Sequence, residues 1–376
     1  MGEKKAIVAG HICIDIIPVF SGKEEKEIEN LFRPGQLVAM DPAKISVGGA
    51  VSNTGIGMKL LGADVELMGM TGTDAFGQIV RKVLEKYDAW GDSMMSREDC
   101  GTSYSIILAP PGIDRIVLHH TGTNDVFMPE DIDFEKVKKV NLIHFGYPSL
   151  MKKLYENGGK EFIRFLKMLH ETDTAISVDM AMFEENTEAD RQDWNQILKE
   201  AVPYMDFFVP SVEELCLMLD RERYSEWKKR AKGGDITKFL DVEKDVKPLA
   251  DILLSYGAKV LLIKCGAPGL YFRTADRERL LQIGGGIGEE IADSWADREY
   301  FEKSYLVEKV VSGIGAGDTT IAAFLTAVLK GKSWKDALHL AAATGALCVQ
   351  TYDALGGIIP LEEVQKRIDS GWEKRK

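Results

Sequence analysis

Short β-branched runs alternate with helical faces along most of this chain, and that alternation confines it to one class of fold. Residues 6–10 (Ala-Ile-Val-Ala-Gly) read as a buried strand. Gly48-Gly49 precede a helical stretch through Met58, Leu60 and Leu61, which Gly62 ends in the favoured C-terminal position. Residues 65–70 form the next strand and 69–77 a turn, and Ile79, Val80, Val83 and Leu84 share the next helical face. Further on come strand 140–145, helix 160–170, strands 175–180 and 207–210, helices 213–219 and 246–256, and strand 260–264. Such alternation implies crossover units, so the expected class is α/β, a mainly parallel sheet flanked by helices. With 376 residues, 45% of them hydrophobic, the chain has ample material for a large core.

One stretch breaks the pattern. Residues 102–109 and 115–120 are β-rich runs joined by Pro110-Pro111-Gly112-Ile113-Asp114, which is hairpin chemistry rather than a crossover. Residues 13–20 and 37–40 are similarly extended. These pieces predict a small β-sheet lid, from about 12–40 and 98–122, standing off a single domain over 1–376. Two segments look inserted. Residues 221–242 are highly charged. Residues 273–303 hold Gly284-Gly285-Gly286-Ile287-Gly288 and then an acidic stretch. No Gly-Lys-Ser/Thr follows those glycines, so a flexible loop tip is expected rather than a phosphate loop. Ser333 with Asp336 reads as a capping box opening an alanine-rich helix that runs to about Val349.

The chemistry concentrates in residues 311–320, Val-Ser-Gly-Ile-Gly-Ala-Gly-Asp-Thr-Thr. Residues 306–311 read as a strand. Three glycines follow at alternate positions, then Asp318, then a helical face of Ile321, Phe324, Leu325, Val328 and Leu329. The glycines therefore sit on a strand-to-helix turn, with Asp318 in the first helical turn. Unpaired amides and the positive dipole end make an anion site there, and glycine lets the backbone approach the anion closely. A carboxylate beside such a site repels the anion. It makes sense if it takes a proton from a nucleophile attacking that anion. Taken alone, the motif reads equally well as a capping acid behind a glycine turn.

The formal charge of −12 argues against a nucleic-acid binder, which would carry a basic stripe. Lys228-Lys229-Arg230 reads as a solvated helix face and Lys374-Arg375-Lys376 as a frayed end. Cys13, Cys100, Cys216, Cys265 and Cys348 show neither Cys-x-x-Cys nor zinc spacing, so buried free thiols in a reducing cytosol are expected. The start, Met1-Gly2-Glu3-Lys4-Lys5, lacks the apolar h-region of a signal peptide. No apolar run is long enough to span a membrane. A cytoplasmic location follows as the expectation.

With these motifs in order, the chain resembles the ribokinase-like, or phosphofructokinase-B type, carbohydrate kinases over most of its length, the two inserted segments apart. Three elements carry the resemblance: Gly48-Gly49 with Asn53 four positions on, Gly10 with Asp15 five positions on, and Gly315-Ala316-Gly317-Asp318. It implies ATP-dependent phosphorylation of a hydroxyl on a sugar or sugar acid, with Mg2+ and, in part of the family, a monovalent cation such as K+. It implies that Asp318 is the general base and that the amides of Gly315, Ala316 and Gly317 are the anion hole. Asp15, Gly48, Gly49 and Asn53 would then hold the sugar. A carboxylate accepting two hydrogen bonds from a diol suits that task. Glu214 matches the acid of the family's Asn-x-x-Glu motif, which organises water around Mg2+. It also reads as an ordinary acid at a helix N-terminus.

The nucleotide would lie between Lys264, Gly266 and Gly269 on one side and Gly313, Ala346 and Gly356 on the other, against an Ala342-Gly345-Ala346 helix face. Two departures stand out: Ser211 replaces the motif's Asn, and Ser312-Gly313-Ile314 replaces an Asp-Thr-Thr; loss of that outer acid leaves two readings of Mg2+ and monovalent-cation handling, an altered site or one partly rebuilt by serine hydrogen bonds. Two other readings stay open. One is a nucleoside kinase of the same superfamily, for which Phe20, Phe32 and Tyr104 offer stacking groups. The other is a degenerate, non-catalytic binding homologue, against which the intact glycine turn and Asp318 argue. A Rossmann dehydrogenase fits worst, because Gly10 stands alone before Asp15. The expected partner is a small-molecule sugar. An exposed lid edge also suggests pairing with a second lid in a homodimer.

Overall fold

The computed structural model describes residues 3–20, 31–110 and 116–375. Its strands are β1 (Lys5–Gly10), β2 (Cys13–Phe20), β3 (Met40–Gly48), β4 (Asp64–Gly72), β5 (Met94–Arg97), β6 (Tyr104–Leu108), β7 (Ile116–His120), β8 (Leu142–Gly146), β9 (Ala175–Asp179), β10 (Phe207–Phe208), β11 (Val260–Lys264), β12 (Gly269–Thr274) and β13 (Glu299–Lys303). Among the described residues nine strands form one sheet, ordered β13-β12-β11-β10-β9-β8-β1-β4-β5. It is parallel from β11 through to β5, and β12 and β13 add an antiparallel edge. Ala6 and Val8 face one apolar layer and Ile7 and Ala9 the other. Helices cover both faces, which is why these strands read as continuous apolar runs rather than alternating ones.

A second sheet, β3-β2-β6-β7, forms the lid. Only His11 and Ile12 separate β1 from β2. β6 and β7 pair antiparallel as the expected hairpin, whose turn at 111–115 lies outside the described residues. The third lid strand runs Met40–Gly48 rather than 37–40. Asp41, Pro42 and Lys44 hide it from propensity, yet an edge strand tolerates them because one side is unpaired.

Three helices position the site: α1 (Ala50–Leu60), α2 (Val212–Leu219) and α3 (Ala316–Leu329). A fourth, α4 (Trp334–Cys348), packs along α3 and borders the cleft described below. Residues Ala50 to Met58 of α1 are all buried. A Cβ on Gly57 would stand 3.0 Å from the Cβ of Ala322, so α1 and α3 approach closely at small residues. That approach brings Asn53 and Thr54 to the start of α3.

Several expectations need correction. Residues 306–311 are not a strand. β13 already closes the sheet edge, and the segment leaves it, held by Leu306 N–H to Glu373 O (2.8 Å) and Val311 N–H to Val349 O (2.7 Å). Residues 273–303 are no excursion from the sheet, since they end β12, form the helix Ile287–Trp295 and supply β13. Their glycine cluster is a docked turn. Gly285 N–H donates to Asp173 O at 2.6 Å, and Asn141 Nδ2 donates to Gly285 O at 2.9 Å. The charged segment 221–242 begins with the helix Arg221–Ala231, which buries Trp227. The helix expected at 160–170 starts at Lys152 and breaks at 156–159, where Asn157, Gly158 and Gly159 take positive φ. All five cysteines are free, and Cys100 alone is only half-buried. Among the described residues no helix is long and apolar enough to cross a membrane.

Candidate active site

The candidate functional residues gather beyond the C-terminal ends of β8, β9 and β11, around the start of α3. Gly315 opens that helix at φ 72°, and a side chain there would press within 2.8 Å of Ala354 Cα. The amides of Gly315, Gly317 and Asp318 have no hydrogen-bond partner among the described residues, whereas Ala316 N–H points at Gly313 O at 3.4 Å. Free amides at a helix N-terminus suit an anion.

Asp318 does not cap its own helix. Its carboxylate accepts from side chains elsewhere in the fold: Asn53 Nδ2 at 3.0 Å on Oδ2, and Tyr147 Oη at 2.6 Å and Thr54 Oγ1 at 3.4 Å on Oδ1. Tyr147, just after β8, takes left-handed φ and ψ of 68° and 40°, an uncommon conformation for an aromatic residue. Burial, and then the charge of Asp318, push its phenol well above the usual range, so it stays a donor.

Behind Tyr147 lies a buried polar group. Asp15, on β2, is 8% exposed. Burial raises its carboxyl, with Asp318 adding to the rise, while hydrogen bonds from Ser105 and Cys13 oppose it. Among the described residues Asn53 Oδ1 is buried without a partner, and so are both ring nitrogens of His11. Burial, and then the nearby His119, hold His11 down to about 3, so its ring is neutral. The ring lies 5.4 Å from that of His119 and 5.7 Å from that of Tyr147. Gly48 and Gly49 make room for these groups. A Cβ on Gly48 would stand 2.8 Å from Asp15 Cγ, and one on Gly49 (φ +85°) would stand 2.5 Å from His11 O.

On the other side of Asp318 a cleft of about 600 Å3 runs past Lys264, Gly266 and Gly269 to Gly313, Ala346 and Val349. Lys264 Nζ donates to Asp179 Oδ1 at 2.6 Å and to Val209 O at 2.7 Å. Burial works to lower Lys264, but Asp179 and Glu214 outweigh it and hold the amine above its usual range. Glu214 caps α2: its Oε2 accepts from Ser211 N–H at 2.7 Å, and Ser211 Oγ accepts from Glu214 N–H at 3.2 Å. Its Oε1 has no hydrogen-bond partner among the described residues. Burial raises this carboxyl, Lys264 opposes the rise, and Asp318 adds to it. Ser211 thus keeps the cap that an Asn would supply. Ser312 Oγ is occupied within the turn, accepting from Ile314 N–H at 3.1 Å. Among the described residues no three His, Cys, Asp or Glu are arranged to hold a metal directly.

The structure joins Asp318 and Asn53 directly, and places Gly315–Gly317, Glu214, Lys264, Gly266, Gly269, Gly313 and Ala346 along the cleft. Asp15, Gly48, Gly49 and Asn53 are not on its lining. Gly356 is not on it either; its N–H donates to Asp353 Oδ1 at 2.6 Å within a separate turn. Sequence reasoning missed His11, Tyr147 and Asp179. Asp179 had a signal, an acid ending an apolar strand of a parallel sheet. The other two had none.

Against known proteins, the profile described as pfkB family carbohydrate kinase matches residues 3–360. A 5-dehydro-2-deoxygluconokinase from Clostridium perfringens is 23% identical over 367 residues, covering 96% of this chain and 92% of its own. A solved Arabidopsis thaliana ribokinase complexed with ribose and ATP has a TM-score of 0.69 at 18% identity, covering 97% of this chain and 98% of its own. A putative ribokinase II from E. coli in complex with ATP and Mg2+ has a TM-score of 0.70 at 18% identity, covering 98% and 99%.

Proposed function

This chain belongs to the pfkB family of carbohydrate kinases and is a phosphotransferase with an alcohol group as acceptor; on that premise we propose that it moves the γ-phosphate of ATP to a hydroxyl of a sugar or sugar acid, with Asp318 as general base. The observation that carries this reading is the placement of Asp318. Its carboxylate stands beside the free amides of Gly315 and Gly317 and is held by three side chains rather than by its own helix.

Counting lone pairs selects the reacting atom. Oδ1 already accepts from Tyr147 and Thr54, whereas Oδ2 accepts from Asn53 alone. Oδ2 therefore keeps a lone pair for the proton of the acceptor hydroxyl. The free amides of Gly315 and Gly317 stabilise charge on the transferred phosphoryl oxygens. Lys264 adds a fixed cation, since its Nζ lies 3.9 Å from where a Cβ on Gly317 would stand. Asp15 and Asn53 Oδ1 accept from neighbouring hydroxyls, and neutral His11 can donate from one nitrogen and accept at the other. Glu214, through water, would hold Mg2+, which supplies charge neutralisation along the polyphosphate. The ATP complexes of the two structural neighbours support a nucleotide in the cleft.

The test is ADP release from Mg-ATP across free sugars, sugar acids and nucleosides. Release only when a sugar or sugar acid is present is expected. Release only with nucleosides would move the assignment to a nucleoside kinase. Absence of both turnover and ATP binding would refute the proposal.

A further inference from the structure

The family profile ends at residue 360, yet the chain continues as a helix, Leu361–Asp369, and then a tail. That tail is docked, contrary to the frayed end expected from its charge; Lys376 lies outside the described residues. Trp372 Nε1 donates to Leu306 O at 2.7 Å, and its ring packs 4.8 Å from Tyr305. Leu306 N–H donates to Glu373 O at 2.8 Å, Tyr305 and Lys374 form an antiparallel bridge, and Arg375 N–H donates to Ser304 O at 2.9 Å. Lys374 Nζ sits 2.5 Å from Glu302, whose side chain is fully buried. The tail thus runs antiparallel beside the chain leaving β13, joined to it by a single bridge.

This docking puts Arg375 on the lining of the cleft, beside Ser304, Tyr305 and Ala267. Lys264 and Arg375 are the cations on that lining among the described residues. Asp179 pairs Lys264, whereas the Arg375 guanidinium has no ion pair or hydrogen bond among the described residues. Strand register places Arg375 along the cleft. Lys264 pairs with Leu270, Gly269 pairs with Lys303, and Ser304 follows Lys303. Two strand spacings of about 4.8 Å therefore put Ser304 roughly 10 Å from the Lys264 end. The cleft lining also carries apolar or small residues, among them Leu270, Val307, Val310, Ala346 and Val349.

We infer that Arg375 closes the nucleotide site at its base end, laying its guanidinium on the purine ring. This rests on the nucleotide reading given above and adds a wall from outside the family's shared region. A planar, weakly hydrated cation is the side chain best suited to an aromatic face, and the small lining residues Ala342, Gly345 and Ala346 suit a flat ring.

The test is calorimetry of the full-length chain and of Arg375→Ala with two probes, Mg-ADP and adenosine. The exposed side chain can be removed without loss of the fold, which an unchanged thermal midpoint will verify. Both probes should weaken by the same factor, about three- to tenfold, as expected for a cation on a partly desolvated ring. Unchanged affinities in Arg375→Ala, with the wild type binding normally, overturn the inference alone. A loss confined to Mg-ADP also overturns it, because it moves the guanidinium to the phosphates. Failure of the wild type to bind either probe overturns both this inference and the nucleotide reading beneath it.

Discussion

In Asp318→Asn the hydrogen bonds around the site can be redrawn almost without loss. The new amide oxygen, at the Oδ2 position, still accepts from Asn53 Nδ2. The new NH2, at the Oδ1 position, can donate to Tyr147 Oη and Thr54 Oγ1, both of which can accept as well as donate. No buried group is orphaned, so the stability change should stay within about 1 kcal/mol. The base, however, is gone. General-base loss typically lowers the rate about 10²–10⁴-fold, which is about 2.7–5.4 kcal/mol of barrier. The free amides of Gly315 and Gly317 remain, and a negative charge beside the anion site has been removed. ADP affinity should therefore hold or tighten. A coupled ADP-release assay, calorimetry with ADP and a thermal melt together read all three quantities. Turnover within tenfold of wild type would refute the assignment, as would a variant that fails to fold.

Gly315→Ala should lower the thermal midpoint and weaken ADP more than tenfold, because φ of 72° and the contact with Ala354 both resist a side chain; unchanged binding would show that the turn does not hold the nucleotide. Lys264→Met should cost about 3–5 kcal/mol in denaturant titration by leaving the buried Asp179 carboxylate unpaired, and adding Asp179→Asn should recover most of it; a double variant no better than the single contradicts the pairing. His11 and His144 are each held at about 3, by burial first and then by His119 and Lys264 respectively. Unfolded, each titrates near 6.5, so the unfolded chain binds more protons; stability is full above about pH 6.5 and falls as the pH drops towards 3. At pH 5.5 each histidine removes about 1.4 kcal/mol. Between pH 7.5 and 5.5 wild type should therefore lose about 1.4 kcal/mol more than His144→Gln, and equal losses would rule this out.

What the sequence made legible was local. The crossover strands read correctly because burial on both faces turns them into uniform apolar runs, and α1 and α3 read correctly because glycines mark their starts. The 306–311 run misled because β-branching reports fitness for a pleated surface, not whether a sheet edge is free to receive it. The basic tail misled for a parallel reason. Charge pattern predicts solvation, and the buried partner Glu302 of Lys374 is visible only after folding. In the site, Asp318 and Asn53 stood out by motif spacing and Lys264 only by its place at the end of a strand, and the structure brings the first two into contact. His11 and Tyr147 did not, because one owes its place to tight packing against Gly49 and the other to a left-handed backbone.

Because β1 lies between β4 and β8, it stays half-paired until residue 146 has followed it. From there the sheet can lengthen in the order of synthesis, from β8 through to β13. The helix bearing Asp318 comes after all of these strands and must return to pack on α1, one of the first elements made. Asn53 and Tyr147 thus wait for a carboxylate that reaches them only after β13 has been made. A chain cut before α3 would carry the proposed acceptor groups without the proposed base. Under the proposed chemistry, an unfinished molecule is inert rather than a wasteful consumer of ATP.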